Sequence, residues 1–149
     1  YNVALSLTDF KSDIYFDTLR AVREIAYARI LDLPKDVPVV LTNAHFQGSE
    51  WGEQSWDLAI DLAARRGVPH LAVVLSCSIQ EIERRIQGES RRGKRKPRSL
   101  DVFKPGSGSR PLIDRGEHVM RLETTELKAE ETAGYIAEWI DKISLAADR

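Results

Sequence analysis

The chain has 149 residues, 42% of them hydrophobic and 30% charged, with 22 basic and 23 acidic side chains that leave a formal net charge of -1. That balance excludes a disordered or fibrous polypeptide, and a near-neutral chain is not a general nucleic-acid binder, for which a basic domain is expected. The longest apolar run, "LAVVL", is far too short to cross a bilayer, and a single cysteine, Cys77, excludes an internal disulfide and suits a reducing, cytoplasmic setting.

In chain order, residues 3–7 ("VALSL") have the character of a buried strand at the very start of the chain, so an earlier part of the domain is expected to precede residue 1. Ile14, Leu19, Val22, Ile25, Ala26 and Ile30 then recur at helical spacing, and Leu33-Pro34 closes that element. Residues 37–42 ("VPVVLT") give a second strand. Trp56, Ala59, Ile60 and Ala63 mark a second helix, ended by Gly67 as a left-handed cap. Residues 71–75 ("LAVVL") give a third strand, and Ser78 with Glu81 makes a capping box for the next helix. A weaker strand, "HVMRLE", covers residues 118–123, and Ala133, Ile136, Ala137, Ile140 and Ile143 form a last amphipathic helix.

The strand runs are continuous and rich in Val rather than alternating, which is how strands covered on both faces look. Their alternation with helices predicts crossover units, hence a single α/β domain, three layers deep, with a mainly parallel central sheet. Ligands of such sheets bind at the carboxyl ends of the strands. That edge falls at Thr8-Asp9, Asn43-Ala44-His45, Ser76-Cys77-Ser78 and Thr124-Thr125.

One segment stands apart. "RRGKRKPR", residues 91–98, packs six basic side chains into eight residues and runs into the flexible "KPGSGSR". Arginines grip phosphate oxygens two at a time with a charge that does not titrate, so a segment of this kind can close over a polyphosphate and neutralise the group in transfer. The alternatives are a solvated surface loop and a nucleic-acid contact; the second ranks last because no aromatic side chain is interleaved to stack on bases. Asp9 either orients a substrate hydroxyl and takes its proton or caps the turn that follows it. His45 lies in a polar loop with Trp51 and Trp56, the three histidines and one cysteine keep no metal-ligand spacing, and no protein-held metal is expected.

The order of these pieces resembles the P-loop phosphotransferase family, in the branch of adenylate, shikimate and gluconate kinases, and is similar to bacterial proteins of that branch labelled AAA-family ATPases. The resemblance rests on "SLTDF", "VVLTNAHFQGS", "VVLSCSIQEIERRI" leading into "RRGKRKPRSLD", and the closing "RLETTELKAEETAGYIAEWI", which together span nearly the whole chain. It implies a P-loop NTPase-like fold whose lid covers residues 88–110, and ATP-dependent phosphoryl transfer to a small molecule with ATP and Mg2+ as cofactors. Lid contacts to the phosphates would fall to Arg85, Arg91 or Arg92 and to Lys96, acceptor binding to Asp9, and the adenine border to Thr124 and Thr125.

Two positions depart from the family pattern. Asn43 stands where many relatives carry an acid that positions magnesium, and Lys128 stands where relatives tend to place Ser. The phosphate-binding signature G-x-x-x-x-G-K-[ST] occurs nowhere in the sequence. A strand-loop-helix unit of roughly 30 or more residues is therefore expected upstream of Tyr1, or else the anchor is lost and the protein no longer catalyses. Two further functions stay open: a non-catalytic module whose basic segment holds RNA or an acidic partner, and an ATPase switch without an acceptor.

Overall fold

The computed structural model describes residues 2–88 and 110–147. Arg91, Arg92 and Lys96, with most of the expected lid, lie outside the described residues. The chain divides into two compact units, Tyr1–Asn43 with Asp57–Pro69, and Ala44–Trp56 with His70–Arg149.

The first unit is helical. Helix α1 (Asn2–Leu7) leads into α2 (Asp13–Leu31), and the C-terminal part of α3 (Glu50–Arg66) completes the unit. The strand expected over residues 3–7 is α1 instead. With no strand beside it among the described residues, the segment satisfies its backbone groups internally, and Thr8 sends both its N–H (2.9 Å) and its hydroxyl (2.8 Å) back to the Ala4 carbonyl. Ser12 then caps α2 by accepting from Tyr15 N–H, and Tyr15 packs edge-on against Phe10 and Phe16 at 5.4 Å. Ala4, Tyr15 and Leu19 are the buried side chains of α1 and α2.

Residues 37–42 are not a strand either. They run as exposed coil, and Val40 is 84% exposed. Pro38 has no N–H to give a ladder, and Arg66, itself buried, takes the Pro34 and Val37 carbonyls at 2.8 and 3.1 Å. The end of α3 matches its sequence signal closely. Gly67 has φ +64, its N–H donates to the Ala64 carbonyl, and Val68 N–H reaches the Ala63 carbonyl, the paired bonds of a Schellman cap.

The second unit holds the sheet. Strand β1 (Leu71–Ser76) pairs in parallel with β2 (His118–Glu123), in a register that sets Leu71 opposite His118 and Ser76 opposite Glu123. Helix α4 (Ile79–Gln87) follows β1 and α5 (Ala129–Ala147) follows β2. Ala72 and Ile86 are buried, α4 turning its Ile86 side inward. An isolated antiparallel bridge joins Phe46 to Leu112, fixed by Gln47 N–H on the Pro111 carbonyl and Ile113 N–H on the His45 carbonyl. The described residues therefore form a mixed helix–strand protein with a small parallel sheet, compatible with the α/β class; no helix among them is long and apolar enough to cross a membrane.

Candidate functional site

Parallel pairing decides where the site falls. Because Ser76 and Glu123 face each other, the two strands end level, and the loops 77–78 and 124–128 emerge side by side at the carboxyl edge. Hydrogen bonds tie the loops together. Thr124, buried at 4% exposure, donates its N–H (2.8 Å) and its hydroxyl (2.9 Å) to the Ser76 carbonyl. Ser76 Oγ donates to Glu123 Oε2 at 2.9 Å, and Ser78 N–H donates to Thr125 Oγ1 at 2.7 Å. The Thr125 hydroxyl donates to Glu123 Oε1, and the Glu123 carboxyl is held below the usual carboxylate range by the Thr125 hydroxyl first, then by the Thr125 N–H and the Ser76 hydroxyl.

Each helix that starts here carries half of a capping box. On α4, Ser78 Oγ accepts from Glu81 N–H at 3.2 Å, yet the Glu81 carboxylate does not return to Ser78, whose N–H is already taken by Thr125. On α5 the other half is present: Glu131 accepts from Lys128 N–H at 2.8 Å, while Lys128 supplies no side-chain oxygen. The Glu81 carboxylate turns instead to the next turn of its helix. Arg84 Nε and Nη2 bind its two oxygens at 2.7 and 2.6 Å, and Arg85 Nε adds a bond of 2.6 Å. These guanidinium bonds, Arg84 first, hold the Glu81 carboxyl down at about 2. Arg85 also donates from Nη1 to the Thr124 hydroxyl (3.2 Å) and from Nη2 to its carbonyl (2.6 Å), which makes it a strut from α4 to the β2–α5 loop.

These groups surround an open cleft of about 480 Å³ lined by Ser78, Glu81, Arg84, Thr125, Glu126 and Lys128 among others. Hydroxyl, guanidinium and ammonium donors suit an anion's oxygens. Among the described residues, no group of three or more His, Cys, Asp or Glu side chains comes together.

The structure thus joins Arg85, Thr124 and Thr125 in one place. Asp9 and Asn43 belong to the first unit, and neither follows a strand, so the premise that set them on a sheet edge is corrected. Asp9 is exposed, and its carbonyl accepts from the Ser12 N–H and hydroxyl, so of the two readings open for it the turn is closed, but by its backbone and not its side chain. Asn43 is exposed coil. His45 is buried beside the Phe46–Leu112 bridge. Sequence reasoning missed the Glu81–Arg84–Arg85 knot, although its spacing of three and four residues is the ordinary signal for helical ion pairs. It also left Lys128 as a departure from a pattern rather than a cleft residue.

By fold and site, then, this is a mixed helix–strand protein with a polar, cation-bearing cleft at the carboxyl edge of a parallel strand pair. No family model matches the chain, and no curated protein or solved structure matches it significantly.

Proposed function

We propose that the protein binds a nucleotide through its phosphates and transfers a phosphoryl group from ATP to a small molecule, as a kinase of the P-loop kind. One observation carries this reading: two parallel strands end level, and their loops bring Ser78, Arg84, Thr125 and Lys128 to a single open cleft. ATP, when bound, supplies the phosphoryl group and brings its magnesium with it. The chain's residues supply position and charge. Thr125 and Lys128 line the cleft floor, Thr124 and Arg85 hold the two loops at a fixed spacing, and the basic residues Arg91, Arg92 and Lys96 screen the phosphates. The acceptor hydroxyl attacks the γ-phosphorus, ADP leaves and the hydroxyl proton passes to solvent, which balances the transfer.

The test is a titration of the full chain with Mg-ATP, read by calorimetry and by Tm, followed by ADP release with and without a panel of hydroxyl- and carboxyl-bearing metabolites. ADP release that needs an acceptor supports the kinase. The double substitution of Arg91→Ala and Arg92→Ala then lowers turnover about 100-fold, as loss of charge stabilisation on a transferring phosphoryl does, and leaves Tm nearly unchanged. ADP release without an acceptor makes the protein an ATPase switch. No response to ATP, together with RNA binding that weakens steeply with salt, overturns the proposal in favour of a binding module.

A further inference from the structure

Glu81 lines the cleft and pairs with two arginines of its own helix, and it is not needed there for the reason its position suggests. An acid three residues after a serine cap ordinarily returns to the cap's N–H. Here that N–H belongs to Thr125 Oγ1, so the carboxylate is released to face the arginines. Arg84 meets it side-on, Nε and Nη2 to separate oxygens at 2.7 and 2.6 Å, with Arg85 Nε at 2.6 Å on one of them. That two-pronged approach is the one guanidinium groups make to carboxylate and phosphate alike. The Glu81 side chain is only 12% exposed, whereas the Arg84 side chain is 75% exposed and so has room to swing toward an incoming group.

We propose that Glu81 is a built-in stand-in for phosphate, an autoinhibitory contact that occupies the Arg84 fork until a phosphate ester displaces it. The inference rests on the phosphate-binding reading of the cleft and adds its regulation. A carboxyl held at about 2 stays charged at any physiological pH, so the lock does not open by protonation. It opens by competition. A multiply charged phosphate brings more negative charge than the carboxylate and finds Thr125 and Lys128 lining the same cleft.

The experiment titrates inorganic pyrophosphate into the full chain and into Glu81→Gln, with circular dichroism to confirm equal helix content. Glu81→Gln binds at least tenfold more tightly than wild type, and adding Arg84→Gln abolishes the gain. Glu126→Gln is the control: it removes the same charge from the same cleft without touching the arginines, and its gain stays below twofold. Glu81→Asp keeps an acid in the first turn of α4 but shortens its reach, and binds with intermediate affinity, which serves if the glutamine variant folds poorly. Equal affinity of Glu81→Gln, Glu81→Asp and wild type overturns the proposal. So does an equal gain from Glu126→Gln, or a gain that survives Arg84→Gln. A gain in pyrophosphate affinity without any ATP turnover leaves the lock standing and removes the kinase, so the two readings fail separately.

Discussion

Two apolar runs of nearly the same composition meet opposite ends in this molecule. "VPVVLT", residues 37–42, lies in exposed coil, while "LAVVLS", residues 71–76, is β1. Both are rich in Val, and both have a Val-Pro pair at or just before them. The proline's offset separates them. Pro69 stops two residues short of β1, whereas Pro38 sits inside the first run and removes an N–H where a ladder would need it. The second difference is supply. β1 has β2 beside it over six registered pairs, while the Val37 carbonyl that opens the first run is taken by Arg66. Apolar content makes a segment fit for a strand, but pairing makes it one.

The largest expected effect breaks that contrast directly. Ala72, opposite Val119 and 4% exposed, tolerates no charge, and Ala72→Asp should cost about 3 kcal/mol or more by placing an unpaired carboxylate in the strand core. Val40→Asp, at an 84% exposed site in the sister run, should stay within about 0.5 kcal/mol. Denaturant midpoints of the two variants decide it. Similar losses would mean that residues 37–42 are structured in solution as β1 is.

A smaller effect sharpens the comparison at the strand ends. Ser76 closes β1 under two bonds from Thr124, which also receives Arg85, and among the described residues nothing of the kind holds the exposed Thr42. Thr124→Val should cost about 0.5–1.5 kcal/mol, because it strips the Ser76 carbonyl of one of its two Thr124 donors and the Arg85 guanidinium of one acceptor. Thr42→Val should cost nothing measurable. If Thr124→Val is also silent, the clamp that sets the spacing of the cleft's two loops is not a clamp.

Periodicity and caps made much of this legible in advance. Helices α2, α3, α4 and α5, strands β1 and β2, and the Gly67 cap all carry local signals that tertiary context did not override. The runs at residues 3–7 and 37–42 were misjudged for one physical reason: hydrophobicity reports a wish for burial, not the presence of a partner strand, and a short run with Ala4 and Leu5 satisfies its backbone equally well as a helix. For the site, the strand-end rule found Thr124 and Thr125 because it depends only on where β2 stops. It misplaced Asp9 and Asn43 because it inherited the two strands that do not form. Arg85 was singled out as a phosphate ligand, whereas its visible bonds run to Glu81 and Thr124. Such partners cannot be read from one residue's type.

The smallest expected effect concerns the residue between Pro69 and β1, a position with no counterpart in the first run. His70 packs edge-on against Trp56, with ring centres 5.5 Å apart, and its Nδ1 and the Trp56 Nε1 are both buried without a hydrogen-bond partner. Desolvation pushes the imidazole below its ordinary 6.5, so the folded protein prefers it neutral. The sign follows. Above the unfolded value both states hold the neutral ring and its contribution is intact; as pH falls below that value the unfolded chain takes up the proton first, and stability is lost until the folded pKa is passed. Denaturant midpoints measured from about pH 8 down to about pH 5.5 should therefore slope downward in the wild type. His70→Phe keeps a ring against Trp56 and removes the titration, so its slope should be shallower over that window. Glu81 does not confuse the reading, because the stability its ion pairs lend is present above 4.5 and lost only as pH falls toward about 2. An unchanged slope in His70→Phe would assign the pH dependence to another group and leave the entry to β1 held by shape alone.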